Sequence, residues 1–140
     1  MNRFFACLPF VCFLCGCTPT PEAPKENLPE ILAAGLKVYT ANCATCHQTD
    51  GYGVSNMLPA LVDNAVVAGD PVVLVRLVLK GPAAVLPADR PHYSNTMPPF
   101  NRLTDEQIAD VLTYIRHDYG HEAPPIDVHQ VQTIRAQFGS

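Results

Sequence analysis

The chain has 140 residues, enough for one modest domain, and its 48% hydrophobic content suits a packed core and excludes a disordered chain. Fourteen prolines exceed what regular elements tolerate, so many must lie in linkers and loops. Nine Lys and Arg against 13 Asp and Glu leave a formal charge of −4, which argues against nucleic acid and against a polybasic membrane patch.

The first residues read as an export signal. Arg3 gives a weakly basic start, and Phe4 to Gly16 is an almost uncharged apolar run, too short to span a bilayer comfortably. It ends in Leu14-Cys15-Gly16-Cys17, which resembles the cleavage box of bacterial lipoproteins. Residues 1–16 are therefore expected to be a lipoprotein signal peptide, with Cys17 lipidated as the new N-terminus. That expectation places the protein on the periplasmic side of a bacterial membrane, held by lipid. Cys15 stands where a small Ala or Ser is commoner, and Pro9 interrupts the run. An ordinary signal peptide cut nearby, or an uncleaved anchor, is the alternative. From Cys17 onward the chain keeps eight Lys and Arg (nine less Arg3) and all 13 acidic residues, a formal charge of −5. Residues 17–28 carry Pro, Glu and Lys without apolar periodicity and read as a flexible linker, reaching about 30 Å if polyproline-like.

Four helical patterns follow, so the fold class is all-α. The first runs from about Pro29 to Asn42, with Ile31, Leu32, Gly35, Leu36, Val38 and Tyr39 mainly on one side. The second opens on Asp70-Pro71, an N-cap followed by proline in the first turn, and closes at Gly81. The third spans about Asp105 to Tyr119: Thr104 and Gln107 make a capping box, and Gly120 stops it. Asp105 and Glu106 favour its positive start, and Ile108, Val111, Leu112 and Ile115 form its buried stripe. A short fourth helix starts near Asp127, with Val128, Val131 and Ile134 at three-residue steps. Gln48 to Gly69 and Pro82 to Arg102 read as long loops, which make sense if they wrap a cofactor.

Cys43-Ala44-Thr45-Cys46-His47 supplies the cofactor. Cys-x-x-Cys-His is the attachment signature of c-type haem: two thiols add to the vinyl groups of one porphyrin edge, and the adjacent imidazole reaches iron. A thioredoxin-like pair would need a βαβ setting, and a zinc site a second cysteine pair; neither is present beyond the expected leader. Cys7, Cys12 and Cys15 leave with the leader, Cys17 takes lipid and Cys43 and Cys46 take haem, so no disulfide is expected. The sixth iron ligand is expected to be Met97, in Thr96-Met97-Pro98-Pro99-Phe100, where two prolines stiffen the loop. Met57 is read as gap-filling core, His92 is the rival ligand, and His117, His121 and His129 are expected in solvent.

From about Pro29 to Gly120 the chain resembles class I cytochrome c haem domains. Gly35, Tyr39 and Cys43 match the family's first helix, and Val111 and Tyr114 its last, which crosses the first at that glycine. Leu58-Pro59-Ala60-Leu61 looks like the family's proline loop. The resemblance implies that the Pro59 carbonyl accepts the Nδ1–H of His47. It also implies a cytochrome c domain over 29–120, followed by an extension over 121–140 with a short helix. Residues 97–120 and the tail are further similar to cytochrome subunits of periplasmic alcohol, aldehyde and gluconate dehydrogenases.

These readings imply a mono-haem electron carrier with no catalysis of its own, its iron held by His47 and Met97. Its partners would be a periplasmic dehydrogenase as donor and an oxidase or another cytochrome as acceptor, toward the respiratory chain. A fixed electron-transfer subunit of an oxidoreductase complex is the second reading, and a haem-based sensor or gas binder the third. The electron gate is expected at the haem edge near Cys46 and the Met97 loop, ringed by Val54, Pro98 and Phe100.

Overall fold

A computed structural model of the chain describes residues 27–138. The expected leader 1–16, the expected lipidation site Cys17 and nearly all of the expected 17–28 linker lie outside the described residues, as do residues 139 and 140. The described residues form helices joined by loops, with a single isolated antiparallel bridge between Val54 and Leu58. None of these helices is long and apolar enough to cross a membrane.

Helix α1 spans Leu28–Asn42, with proline in its first turn, and α5 spans Asp105–Asp118. They cross at Gly35, because only a residue without a side chain fits there. A Cβ on Gly35 would lie 2.6 Å from the Tyr114 Cβ and would overlap the Asp110 carbonyl. Tyr39, one turn later, is buried against Tyr114 and Tyr119, with ring centroids 5.5 to 6.0 Å apart. The expected stripe of α5 is buried throughout, each large side chain adding about 2 kcal/mol by leaving water. On α1, Leu36 departs from its expected side and is 46% exposed, since α5 covers only the face carrying Gly35 and Tyr39.

Helix α4 spans Pro71–Lys80, with the Asp70 side chain accepting from the Val72 amide, and it ends at Gly81 with φ +81°. The capping box on α5 is complete: Gln107 N donates to Thr104 Oγ1 and Thr104 N to Gln107 Oε1. Helix α6, Val128–Phe138, packs Val131 and Ile134 against α4 and α5. It carries a second reciprocal cap, between Asp127 and Gln130.

The two segments read as loops contain regular turns. Ala65–Ala68 forms the four-residue helix α3, capped by Asn64, and Pro82–Ala84 forms a 3-10 turn. Helix α2, Ala44–His47, continues the chain directly beyond α1. Such single turns are too short to leave a periodic signal in sequence.

Arg116 is 1% exposed and sits in the core, where its guanidinium donates to main-chain carbonyls. Its Nε donates to the Val67 carbonyl (3.0 Å), and its terminal nitrogens donate to Gly69 (2.6 Å) and Pro124 (3.0 Å). Burial lowers its pKa, with Asp70 acting the other way. It joins α5, the end of α3 and the chain leading to α6.

Candidate functional site

The Cys43–His47 motif is folded as one helical turn. Cys43 N still donates to Tyr39 O (2.8 Å) at the end of α1, and His47 N donates back to Cys43 O (2.9 Å). Cys43 and Cys46 are thus three residues apart on one turn and His47 one further, so all three present to neighbouring faces. Cys43 is half-buried and Cys46 exposed. Before haem is attached, burial, with Cys46 adding to it, pushes the Cys43 thiol up to about 11.

His47 is buried, and its Nδ1 donates to the Pro59 carbonyl across 3.0 Å. That bond places the proton on Nδ1 and leaves the Nε2 lone pair for a metal. Burial lowers the His47 pKa and the Pro59 carbonyl partly opposes it, so the neutral form required of a ligand prevails. The carbonyl is brought there by a tight loop: Gly53 N donates to His47 O (3.0 Å) and Leu61 N to Gly51 O (2.7 Å). Gly53 adopts φ +62°, and a Cβ there would lie 2.6 Å from the Pro59 oxygen. Glycine is required at this place on both counts.

On the other loop, Met97 is half-buried and packed against the core, as is Phe100. Phe100 N donates to Val78 O (2.8 Å), anchoring the loop to α4. The loops are also joined to each other, since Ser94 N donates to Asn56 O (3.1 Å) and Asn95 N to Met57 O (3.2 Å). His92, the rival ligand, is exposed. Met57 is not the core filler expected: it is 45% exposed on a turn closed by the Val54–Leu58 bridge. Of the residues expected around the electron gate, Pro98 is exposed, and Val54 and Phe100 are half-buried. The large exposed apolar side chains on these loops are instead Tyr52, Met57 and Tyr93.

His117 and His129 are exposed as expected, but His121 is half-buried, with Nε2 2.8 Å from the Leu61 carbonyl. Arg116 and Arg135, which hold loop carbonyls, were not among the expected site residues; only the tertiary fold brings their partners near. The donor set fits the chemistry of a c-type haem: two cysteines and a neutral imidazole lie on one turn, and the Met97 thioether lies on a second loop, which carries two prolines and is hydrogen-bonded to the loop of Met57.

Residues 32–118 match the family model described as Cytochrome c. The chain is 38% identical over 105 residues to the cytochrome c subunit of the quinone alcohol dehydrogenase of Gluconobacter oxydans, covering 73% of this chain and 22% of the relative. It is 41% identical over 93 residues to the gluconate 2-dehydrogenase cytochrome c subunit of Pantoea cypripedii, covering 64% and 21%. With cytochrome c-552 of Thermus thermophilus it is 31% identical over 114 residues, covering 75% and 86%. The chain thus spans about a fifth of the length of those two dehydrogenase subunits and most of the small cytochrome. With a complete attachment motif, an oriented imidazole and a matched helical frame, the chain belongs to the cytochrome c family, a family with covalently bound haem c.

Proposed function

We propose that this chain is a periplasmic, lipid-anchored mono-haem cytochrome that takes single electrons from a dehydrogenase and passes them toward the respiratory chain. The observation that carries the reading is the His47 Nδ1 to Pro59 carbonyl bond of 3.0 Å within the Cys43–His47 turn. Cys43 and Cys46 would form the thioethers, and His47 and Met97 would ligate the iron. Haem c, when bound, supplies an iron that cycles between ferric and ferrous states. The Pro59 carbonyl fixes the His47 tautomer and strengthens its donation to metal. Pro98 and Pro99 restrict the Met97 backbone, so little moves when charge changes. Low-polarity surroundings and a thioether ligand raise the potential.

Two named relatives are dehydrogenase cytochrome subunits, which favours a dehydrogenase as donor. The same likeness favours a second reading, a fixed subunit of such a complex; co-purification of a dehydrogenase with the native protein distinguishes it from a free carrier. Replacing Met97 with Ala should abolish the weak ferric methionine–iron charge-transfer band and lower the potential. An unchanged spectrum would overturn that ligand, and His92→Ala would be examined next. The anchor is tested separately: mass spectrometry should find acylated Cys17 as the N-terminus, and an unmodified N-terminus after Gly16 would refute it.

A further inference from the structure

Helix α6 lies beyond the residues matched by the cytochrome c family model, yet it reaches back to the chain that follows Met97. Arg135 is the point of contact. Its Nε donates to Asp105 Oδ1 (2.6 Å), one terminal nitrogen donates to Asn101 O (3.0 Å), and the other donates to Leu103 O (2.8 Å). Both Arg135 and Asp105 side chains are about three-quarters shielded from solvent, so this ion pair is screened less than an open surface one. All five guanidinium donors point in fixed directions, so one arginine can hold a turn as a rigid fork. The same turn is held from its other side by Phe100 N to Val78 O, and closed by Leu103 N to Phe100 O (3.1 Å).

We propose that Arg135 is a positioning residue for the Met97 loop: α6, through this fork, keeps residues 101–103 fixed so that the thioether stays on the iron. This rests on the assignment of Met97 as ligand. The loop must open for an outside ligand to replace a thioether, and opening of a clamped segment is rarer than that of a free one. Removing three charge-assisted bonds from a partly shielded site should raise the open population about five- to tenfold.

The test compares the holoprotein with Arg135→Ala, Arg135→Lys and Leu32→Ala, the last a comparably destabilised change in α1, away from the clamp. Ferric protein is titrated with imidazole, and amide hydrogen exchange is followed at Phe100 and Leu103, whose N–H groups are hydrogen-bonded in this turn. Arg135→Ala should bind imidazole about five- to tenfold more tightly and exchange faster at those amides, with Arg135→Lys between it and the parent. Leu32→Ala should change neither beyond its global loss of stability. If Arg135→Ala behaves as Leu32→Ala does, the clamp is refuted. Met97→Ala run alongside separates the two ideas. If it fails to alter the charge-transfer band, the ligand assignment falls and the clamp with it. If it alters the band while Arg135→Ala leaves imidazole binding alone, only the clamp falls.

Discussion

Gly53 shows how one residue type can set the proposed iron ligand, His47, through the backbone alone. Alanine there must tolerate φ +62° and a Cβ within 2.6 Å of the Pro59 oxygen, against backbone that has little room to give. The Pro59 carbonyl would be displaced from His47 Nδ1, weakening the bond that orients the imidazole. Gly53→Ala is therefore expected to lower stability by about 2 kcal/mol and, because a less strongly donating imidazole stabilises ferric iron less, to raise the reduction potential. Denaturant melts and a redox titration check this, and a destabilised variant with the parent potential would show that the carbonyl does not tune the ligand. Legibility at this scale was uneven. The attachment motif could be read because its five residues are adjacent, and Pro59 because a family loop surrounds it. Arg116 could not. Its carbonyl partners at Val67 and Gly69 lie 49 and 47 residues away, and a charged residue near a helix end ordinarily reads as solvated.

At the scale of elements, the α1–α5 crossing dictates the rest. A methyl at Gly35 cannot be absorbed, because it meets the Asp110 backbone and Tyr114 Cβ, both held in a helix. Gly35→Ala should cost about 3 kcal/mol or more and reduce the yield of folded holoprotein, measured as haem content per chain. Tyr39, in the same crossing, makes the junction sensitive to alkali. Burial raises its phenol to about 12, and Tyr114 and Tyr119 are raised in the same direction. A raised acid is held neutral by the fold. Its contribution is whole below pH about 10, the unfolded value, and is lost as pH climbs through about 12. The melting temperature of the ferrous protein should therefore fall across that window, and Tyr39→Phe should flatten the fall. An equal slope in the variant would assign the alkaline loss to other groups. Long helices with marked caps were legible in sequence, and α4 and α5 lie close to where Asp70, Gly81 and Thr104 place them. The reciprocal Asp127–Gln130 cap was equally open to reading, since its spacing is that of the Thr104–Gln107 box. The turns α2 and α3 were not, because four residues carry no period.

At the scale of the whole molecule, the C-terminal segment straps both sides of the candidate site. His121 holds the Leu61 carbonyl beside the Pro59 loop, and Arg135 holds the turn after Met97. Between these straps the loops expose Tyr52 (65%), Met57 (45%) and Tyr93 (40%), while the chain as a whole carries a formal charge of −4. The loops carrying Met57 and Tyr93 are bonded to each other, so these two side chains stand on one rigid junction. A partner that docks there meets apolar surface with few cations around it, because Lys and Arg total nine over all 140 residues. Small redox interfaces of this kind are short-lived and owe little to steering, in contrast to strongly charged pairs whose encounter rates fall steeply with salt. Electron transfer from the proposed dehydrogenase is thus expected to change little, within about threefold, between low and physiological ionic strength. Met57→Lys should slow it far more than salt does, by placing a hydrated charge on the junction. Loss of the proposed lipid anchor at Cys17 should slow it in membranes but not in detergent-free solution with soluble partners, since such an anchor acts on effective concentration. Stopped-flow rates over an ionic-strength series decide the matter. A steep fall with salt, together with a Met57→Lys rate equal to the parent's, would place the docking face elsewhere and make charge its guide.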